Sequence, residues 1–578
     1  MIARRYCSLS LAMLVAFTPL SAQQPIAQRV DSLFSRYISP EGPGCAVGVY
    51  RDGAVVLTRA YGLASVEDGR PITPRTAFNL GSVSKSFTAL AVLTLEQQGK
   101  LSLDDDVRRW VPEMRDYGTP IRVRDLVQHT SGLRDYGTLD VLTGRVVTTM
   151  TEFLGLISAQ QALNFVTGTR HEYSHSDYLL LGLIVERVVG VPFGEYLERD
   201  VLTPLGMRGS FVSDARARGM TDRALGHGLA GRSARVQFPT SQTIGGDNLY
   251  ASVEDLARWD RNFTTPIVGG ASVITRMIAR PQLSNGDTIP YAYGLRLDTY
   301  RGLRTIERGA HADGTRTEII RFRDHGITVA TLCNADDLEA GRLAHGVADL
   351  YLADRMRPAR PRPDTPVAVA IPAVELARYA GTYRPVDQPW NLMPIVVRNG
   401  ALGEVVPHDA VDDTVFTMTP AGDGRFFEIG STGNVGIFTF RSPRAGAPLR
   451  LDVSWNGEPA ETLERVADSA IWRPSAAALQ EYAGAWFSED LDAGWQLELR
   501  GQRLTLRRRG QADLTLRPVE RDLFVRGFGA FGETMAQLQF HRDAAGSLTH
   551  FTVSTPPGED SVRGLRFVRV IGNASKRF

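Results

Sequence analysis

Strand-length apolar runs lie at 44–62, on either side of Arg51-Asp52-Gly53, and again at 317–322 and 327–332, on either side of Asp324-His325-Gly326. Two such runs around a short polar turn ending in glycine predict a hairpin in each place. Between them the pattern turns helical. Residues 87–98 and 178–189 each stop at a glycine, Gly99 and Gly190, the residue that most readily closes a helix in a left-handed turn. The pattern therefore predicts one antiparallel sheet shared by strands from both ends of this region, with a long helical insertion between them.

Proline crowds residues 355–366, too densely for a helix or an inner strand, and predicts a stiff linker. Beyond it the motif Leu376-x-x-Tyr379-Ala380-Gly381-x-Tyr383 returns as Leu479-x-x-Tyr482-Ala483-Gly484-x-Trp486, each copy followed by short strand-like runs. Two units of about 100 residues with many short strands predict two small antiparallel barrels. The expected division is a signal segment at 1–22, a catalytic α/β domain at 23–354, a linker at 355–370, and barrel domains at 371–470 and 471–578. Neither repeat carries a catalytic constellation, so their expected role is scaffolding or shaping the substrate entrance.

Composition narrows the function. With 43% apolar and 22% charged residues the chain is an ordinary globular one. A net charge of +1 gives no basis for nucleic-acid binding. At the start, Arg4 and Arg5 precede an apolar stretch at 9–20 and the small pair Ser21-Ala22, which reads as a cleaved secretory signal rather than a membrane span. The expected location is secreted or periplasmic. Cys7 falls inside that signal. Cys45 and Cys333 each sit in a strand-like run and are expected to be two separate buried thiols.

The candidate chemistry starts at Gly81-Ser82-Val83-Ser84-Lys85, which opens the apolar segment at 87–95. In a helix beginning near Ser82, Lys85 lies one turn on, on the same face. A serine hydroxyl needs such a neighbouring base to become a nucleophile. The lysine itself is informative, because of 65 basic residues only Lys85, Lys100 and Lys576 are lysines. Burial and positive neighbours can bring a lysine near neutrality at about 4.6 kcal/mol, whereas an arginine needs about 7.5 kcal/mol or more. A base beside Ser82 has to be Lys.

The run Phe78-Asn79-Leu80-Gly81-Ser82-Val83-Ser84-Lys85, then Leu126-Val127-Gln128-His129-Thr130-Ser131-Gly132-Leu133, then Tyr173-Ser174 ahead of Tyr178-Leu179-Leu180-Leu181-Gly182, resembles the serine beta-lactamase, D,D-peptidase and esterase superfamily in order and spacing. Pro204-Leu205-Gly206-Met207 and Ser252-x-x-Asp255-Leu256-Ala257 extend the likeness over about residues 30–350, and the two appended barrels resemble the layout of its D-aminopeptidases.

The resemblance implies acyl transfer without a cofactor. Ser82 attacks a carbonyl, and Tyr173 relays protons with Lys85. His175 stands where the family usually has Asn, and so offers a substrate amide fewer hydrogen bonds. The third family element, a basic residue on a strand, falls in Glu307-Arg308-Gly309-Ala310-His311-Ala312-Asp313-Gly314. One register makes Arg308 the basic residue and puts the amide of His311, past Ala310, in the oxyanion hole with that of Ser82. A second register makes His311 basic, with Asp313 where glycine is expected. His129 resembles a structural signature and is read as a hydrogen-bonding brace. The implied substrates are small molecules or peptides: D-amino-acid peptides or amides first, then carboxylic esters or beta-lactams. The oligomeric state is left open.

Two rival readings come from other classes. His171-Glu172-Tyr173-Ser174-His175 matches the zinc-protease pattern, with His171 and His175 as ligands, Glu172 as general base and Glu195 as a third ligand. It requires 171–175 to be helical, whereas Ser174-His175-Ser176-Asp177 supplies capping residues and predicts a loop entering a helix. The other rival is a binding protein that kept the fold and lost the reaction.

Overall fold

In the computed structural model the described residues are 25–570, except 37, 214–222, 231–232, 238–241, 313, 359–364, 387, 389–390, 407–413, 430–434, 443, 445–446, 457–458, 529–533, 557 and 559. The expected signal segment and residues 359–364 of the expected linker lie outside them. No helix among the described residues is long and apolar enough to cross a membrane.

The first region is an antiparallel sheet flanked by helices. Its strands are β1 (Cys45–Arg51), β2 (Ala54–Tyr61), β3 (Tyr291–Ala292), β4 (Leu295–Tyr300), β5 (Leu303–Ala312), β6 (Thr315–Phe322) and β7 (Ile327–Cys333), in the order β3-β4-β5-β6-β7-β1-β2. The β1–β2 turn needs left-handed backbone, supplied by Asp52 at φ 50° and Gly53 at φ 78°. Pairing of β1 with β7 joins the two ends of the region, as the hydrophobic pattern predicts. One face is covered by α1 (Ile26–Phe34) and a C-terminal helix, Ala340–Leu352, through Val30, Phe34, Leu343, Ala344 and Val347. The other packs on the helical insertion, whose central helix α2 (Ser84–Gln97) is buried at every position from Ser84 to Leu93.

The two cysteines correct an expectation. Register places Cys45 directly opposite Cys333 across β1 and β7, and they form a disulfide with Cα atoms 4.0 Å apart. Reading each cysteine within its own run could not show this, because the partners are 288 residues apart and become neighbours only when the chain ends share a sheet.

Residues 381–466 and 484–569 hold two closed barrels of eight antiparallel strands each. The repeated motif does the same work in both. Tyr383 Oη donates to the carbonyl of Tyr379 (2.8 Å), and Trp486 Nε1 to that of Tyr482 (3.3 Å). Arg465 and Arg569 donate to the equivalent carbonyls of Ala380 and Ala483.

The second barrel is not a free appendage. Leu139 and Leu142, from α3 (Tyr136–Thr143) of the helical region, belong to the same apolar core as its Trp486, Trp495 and Phe551. The buried pair Arg134–Asp490 (3.1 Å) locks the junction, with Arg134 also donating to the carbonyl of Arg563. A buried ion pair is costly to break from one side, because the remaining charge is then stranded.

Candidate active site

The nucleophile turn is shaped by close approach. Gly81 has φ 50°, and a Cβ there would come within 2.8 Å of the Ala310 methyl on β5. Only glycine fits, and small residues at Ala310 and Ala312 let strand and turn meet. The tight turn Gly81–Val83 then hands Ser82 to the start of α2. Ser82 stays partly exposed among buried neighbours. One turn on, Lys85 is fully buried and donates from Nζ to Ser82 Oγ (3.1 Å) and to the carbonyl of Gly246 (3.0 Å). The ring of Tyr178, on α4 (His175–Val189), lies 5.8 Å from that ammonium.

Tyr173 reaches the same hydroxyl from the loop before α4. Its Oη is 2.7 Å from Ser82 Oγ and accepts a hydrogen bond from Arg308 Nη2 at 2.5 Å. Burial alone would raise the phenol's pKa; the charges of Lys85, then Arg308 and His175, outweigh it and bring the group down to about 8. This places a phenol able to lose its proton near neutral pH against the serine hydroxyl.

Strand β5 gives the register of the third element. β4 pairs with residues 303–307, and 308–312 run on beside the Ser82 turn, paired with β6. Alternation turns Arg308, Ala310 and Ala312 toward the turn. Arg308 Nε donates to the carbonyl of Ser82 at 3.3 Å, and the Ala310 methyl packs against Gly81. The His311 imidazole leaves on the opposite face and pairs with Asp336 at 2.7 Å. That corrects the register in which the His311 side chain is the basic group; Asp313 itself lies outside the described residues.

The zinc reading fails on geometry. Helix α4 begins at His175 with Ser174 as its cap, so 171–174 is not helical. His171 Nδ1 turns to the carbonyl of Gln128 (2.9 Å), and Glu172 pairs with Arg563. His175 faces Asp135 Oδ2 (3.3 Å) and Asp560 Oδ1 (3.0 Å). Against burial, Tyr173 first and then Asp560 and Asp135 raise its pKa well above the ordinary histidine value. Its cationic charge thus adds to those of Lys85 and Arg308 around the phenol.

His129 is the expected brace. Fully buried, it lies 2.8 Å from Asp177, 3.2 Å from Tyr291 Oη, and 3.3 Å from the backbone N–H of Ser174. Burial, then the charges of His171 and Lys85, push its pKa well down, so it holds the loop as a neutral ring.

Several groups at the site escape a reading of the sequence. Asp135 is the cap of α3 and also accepts from the backbone N–H of His175 at 2.6 Å, tying two helix starts together. Gly246 supplies only a carbonyl. Asp560, Ser561 and Arg563 come from the second barrel, in the connection between its strands Leu548–Ser554 and Leu565–Arg569. No local signal marks them, since it is the docking of the barrel that brings them here.

Comparison with known proteins agrees with this architecture. The Beta-lactamase family model matches residues 28–353. A D-aminopeptidase from Brucella anthropi is 26% identical over 538 residues, covering 89% of this chain and 93% of that protein. A D-aminopeptidase from Gluconobacter oxydans is 28% identical over 344 residues, 59% of this chain and 64% of that protein, so the chain spans less than two thirds of this second relative. Among solved structures, an octameric penicillin-binding protein homologue from Pyrococcus abyssi superposes with a TM-score of 0.54 at 23% identity, over 76% of this chain and 99% of that one, a likeness of fold. The chain belongs to the Beta-lactamase family and is a serine hydrolase.

Proposed function

We propose that this protein hydrolyses the N-terminal residue from peptides or amides of D-amino acids through an acyl-enzyme on Ser82. The observation that carries this reading is the double contact on one hydroxyl, Lys85 Nζ at 3.1 Å and Tyr173 Oη at 2.7 Å. As a phenolate, Tyr173 takes the Ser82 proton while Oγ bonds to the substrate carbonyl carbon. The carbonyl oxygen takes up the electron pair, against the amides of Ser82 and His311. Collapse of that intermediate breaks the C–N bond, and Tyr173 returns the proton to the leaving amine. Water then enters by the same route and frees the acid. Lys85 and Arg308 stabilise the negative charge on Tyr173 whenever it is deprotonated.

D-aminopeptidase relatives over most of the chain support the substrate class, and so does an acidic group at the site. An aminopeptidase must pair its substrate's ammonium with a fixed anion. Asp135 is buried and already accepts from the backbone N–H groups of Thr138 and His175. Asp560, with its side chain 43% exposed beside His175, suits the task. A second reading, ester hydrolysis, is favoured by His175. Its Nδ1 faces two carboxylates, leaving one ring nitrogen for a substrate and none of the paired donor and acceptor with which Asn grips an amide. We also propose export; the Cys45–Cys333 disulfide supports it, since such bonds persist in oxidising compartments.

The test is covalent labelling with a fluorophosphonate and mass mapping, alongside turnover of D- and L-alanine p-nitroanilides and p-nitrophenyl butyrate. An adduct on Ser82 and preference for the D-anilide are expected. No adduct and no turnover would sink the enzymatic reading, and turnover of the butyrate alone would move the assignment to an esterase.

A further inference from the structure

Glu172 immediately precedes Tyr173, yet takes no part in the chemistry above. Its side chain is only 9% exposed and is held wholly by the second barrel: Ser561 Oγ donates to Oε2 at 2.6 Å, and Arg563 Nη2 to Oε1. The same connection reaches the next residue as well, because the backbone N–H of Asp560 donates to the carbonyl of Tyr173 at 2.9 Å. Three residues of one loop, Asp560, Ser561 and Arg563, therefore grip two successive residues at the nucleophile.

Residues 560–563 of that loop are themselves firmly held. Val562 is fully buried in the barrel core, and its backbone exchanges hydrogen bonds with Thr555 at 2.8 Å in both directions. Outward, Asn164 binds Ser561 O and Arg563 N, each at 2.8 Å, and Thr138 Oγ1 donates to Asp560 O at 2.7 Å. On the catalytic side, the loop carrying Tyr173 has two further backbone ties, Glu172 N to the carbonyl of His129 (3.1 Å) and Ser174 N to the His129 ring.

We propose that Glu172 is a positioning residue, and that its clamp on Ser561 and Arg563 makes the second barrel a working part of the active site by fixing the Tyr173 phenol against Ser82. The proposal rests on the reading of Tyr173 as proton relay. A shift of the phenol by even 1 Å would open the 2.5 Å bond from Arg308 and the 2.7 Å contact with Ser82, and losses of about a hundredfold follow displacements of that size. The groups facing the phenol are Lys85, Arg308, His175, Tyr291 and His129; the clamp keeps them in range.

The test uses the full chain with Glu172→Gln, Arg563→Met and the double variant, read as kcat, KM and the pH profile of kcat on a D-alanine anilide. Each single variant is expected to lower kcat ten- to a hundredfold with KM within about twofold. Both should move the Tyr173 limb upward, as the phenol loses its cationic neighbours. The double variant should be no worse than the poorer single one, and Arg563→Lys should recover part of the loss. A pair acting only through its electric field would move the limb in opposite directions, because one variant removes a negative charge and the other a positive one; that result would overturn the proposal, as would unchanged kcat in both. Should Arg563→Met fail to fold, Ser561→Ala removes the bond to Glu172 and the weaker one accepted from Asn164 and should still give a several-fold loss with the same direction of limb shift; wild-type behaviour there would overturn it too. Tyr173→Phe separates the two levels. Full activity in Tyr173→Phe removes the relay reading itself, whereas an inactive Tyr173→Phe beside a normal Glu172→Gln removes only the clamp.

Discussion

Arg308 and Tyr173 are joined twice: the guanidinium donates to the phenol oxygen at 2.5 Å, and its carbon lies 4.8 Å from the ring centre. An arginine keeps its charge at any working pH, so this contact favours phenolate throughout. With the phenol brought down to about 8, the deprotonated fraction grows as pH rises through that value, and kcat should rise with it and level off above. Arg308→Met should move this limb upward by about one unit and lower kcat at pH 7 by about tenfold; a pH profile of each enzyme checks it.

Lys85 has no room to be exchanged. It is fully buried, with Nζ fixed between Ser82 Oγ and Gly246 O. Lys85→Arg keeps a charge but brings a longer, planar group that does not fit the buried place between Ser82 Oγ and Gly246 O. Turnover should fall at least a thousandfold while the circular dichroism spectrum stays native, and near-normal turnover would take Lys85 out of the mechanism.

Asp560 should discriminate by substrate. Asp560→Asn removes the exposed carboxylate beside His175 while keeping the loop's backbone bonds to Tyr173 and Thr138. KM for a free D-alanine anilide is expected to rise about tenfold or more. Its N-acetylated counterpart, which has no ammonium, should be unaffected. Equal losses on both substrates would assign Asp560 a purely structural part.

The disulfide should act on stability and leave turnover alone. Cys45 and Cys333 lie on β1 and β7, and their bond closes a loop of 288 residues. In the chain-entropy account such a crosslink is worth up to about 5 kcal/mol, with native examples near 2–5. The Cys45→Ser, Cys333→Ser double variant should melt roughly 5–15 °C lower and hydrolyse substrate at the wild-type rate when folded. An unchanged Tm would show that the sheet holds without it.

What could be read from residue order was whatever depends on near neighbours. The hairpin at Asp52-Gly53, the helix ends at Gly99 and Gly190, the one-turn spacing of Ser82 and Lys85 and the doubled barrel motif are all local, and periodicity or turn chemistry marks each. Tyr173 and Arg308 needed the family resemblance, since nothing within their own segments says that they meet at one hydroxyl. The misreadings are all long-range. The cysteines became partners only through the β1–β7 register. The His311 side chain was a candidate until strand alternation sent it to Asp336. Glu172 fitted a zinc motif by spacing, while its true partner, Arg563, lies in another domain.

The β1–β7 bridge also determines how the chain can be oxidised. Apart from Cys7 in the expected leader, Cys45 and Cys333 are its only cysteines, so the rest of the molecule offers neither thiol a wrong partner. Maturation needs an electron acceptor for one pair of thiols, and a disulfide isomerase would find no scrambled isomer to repair.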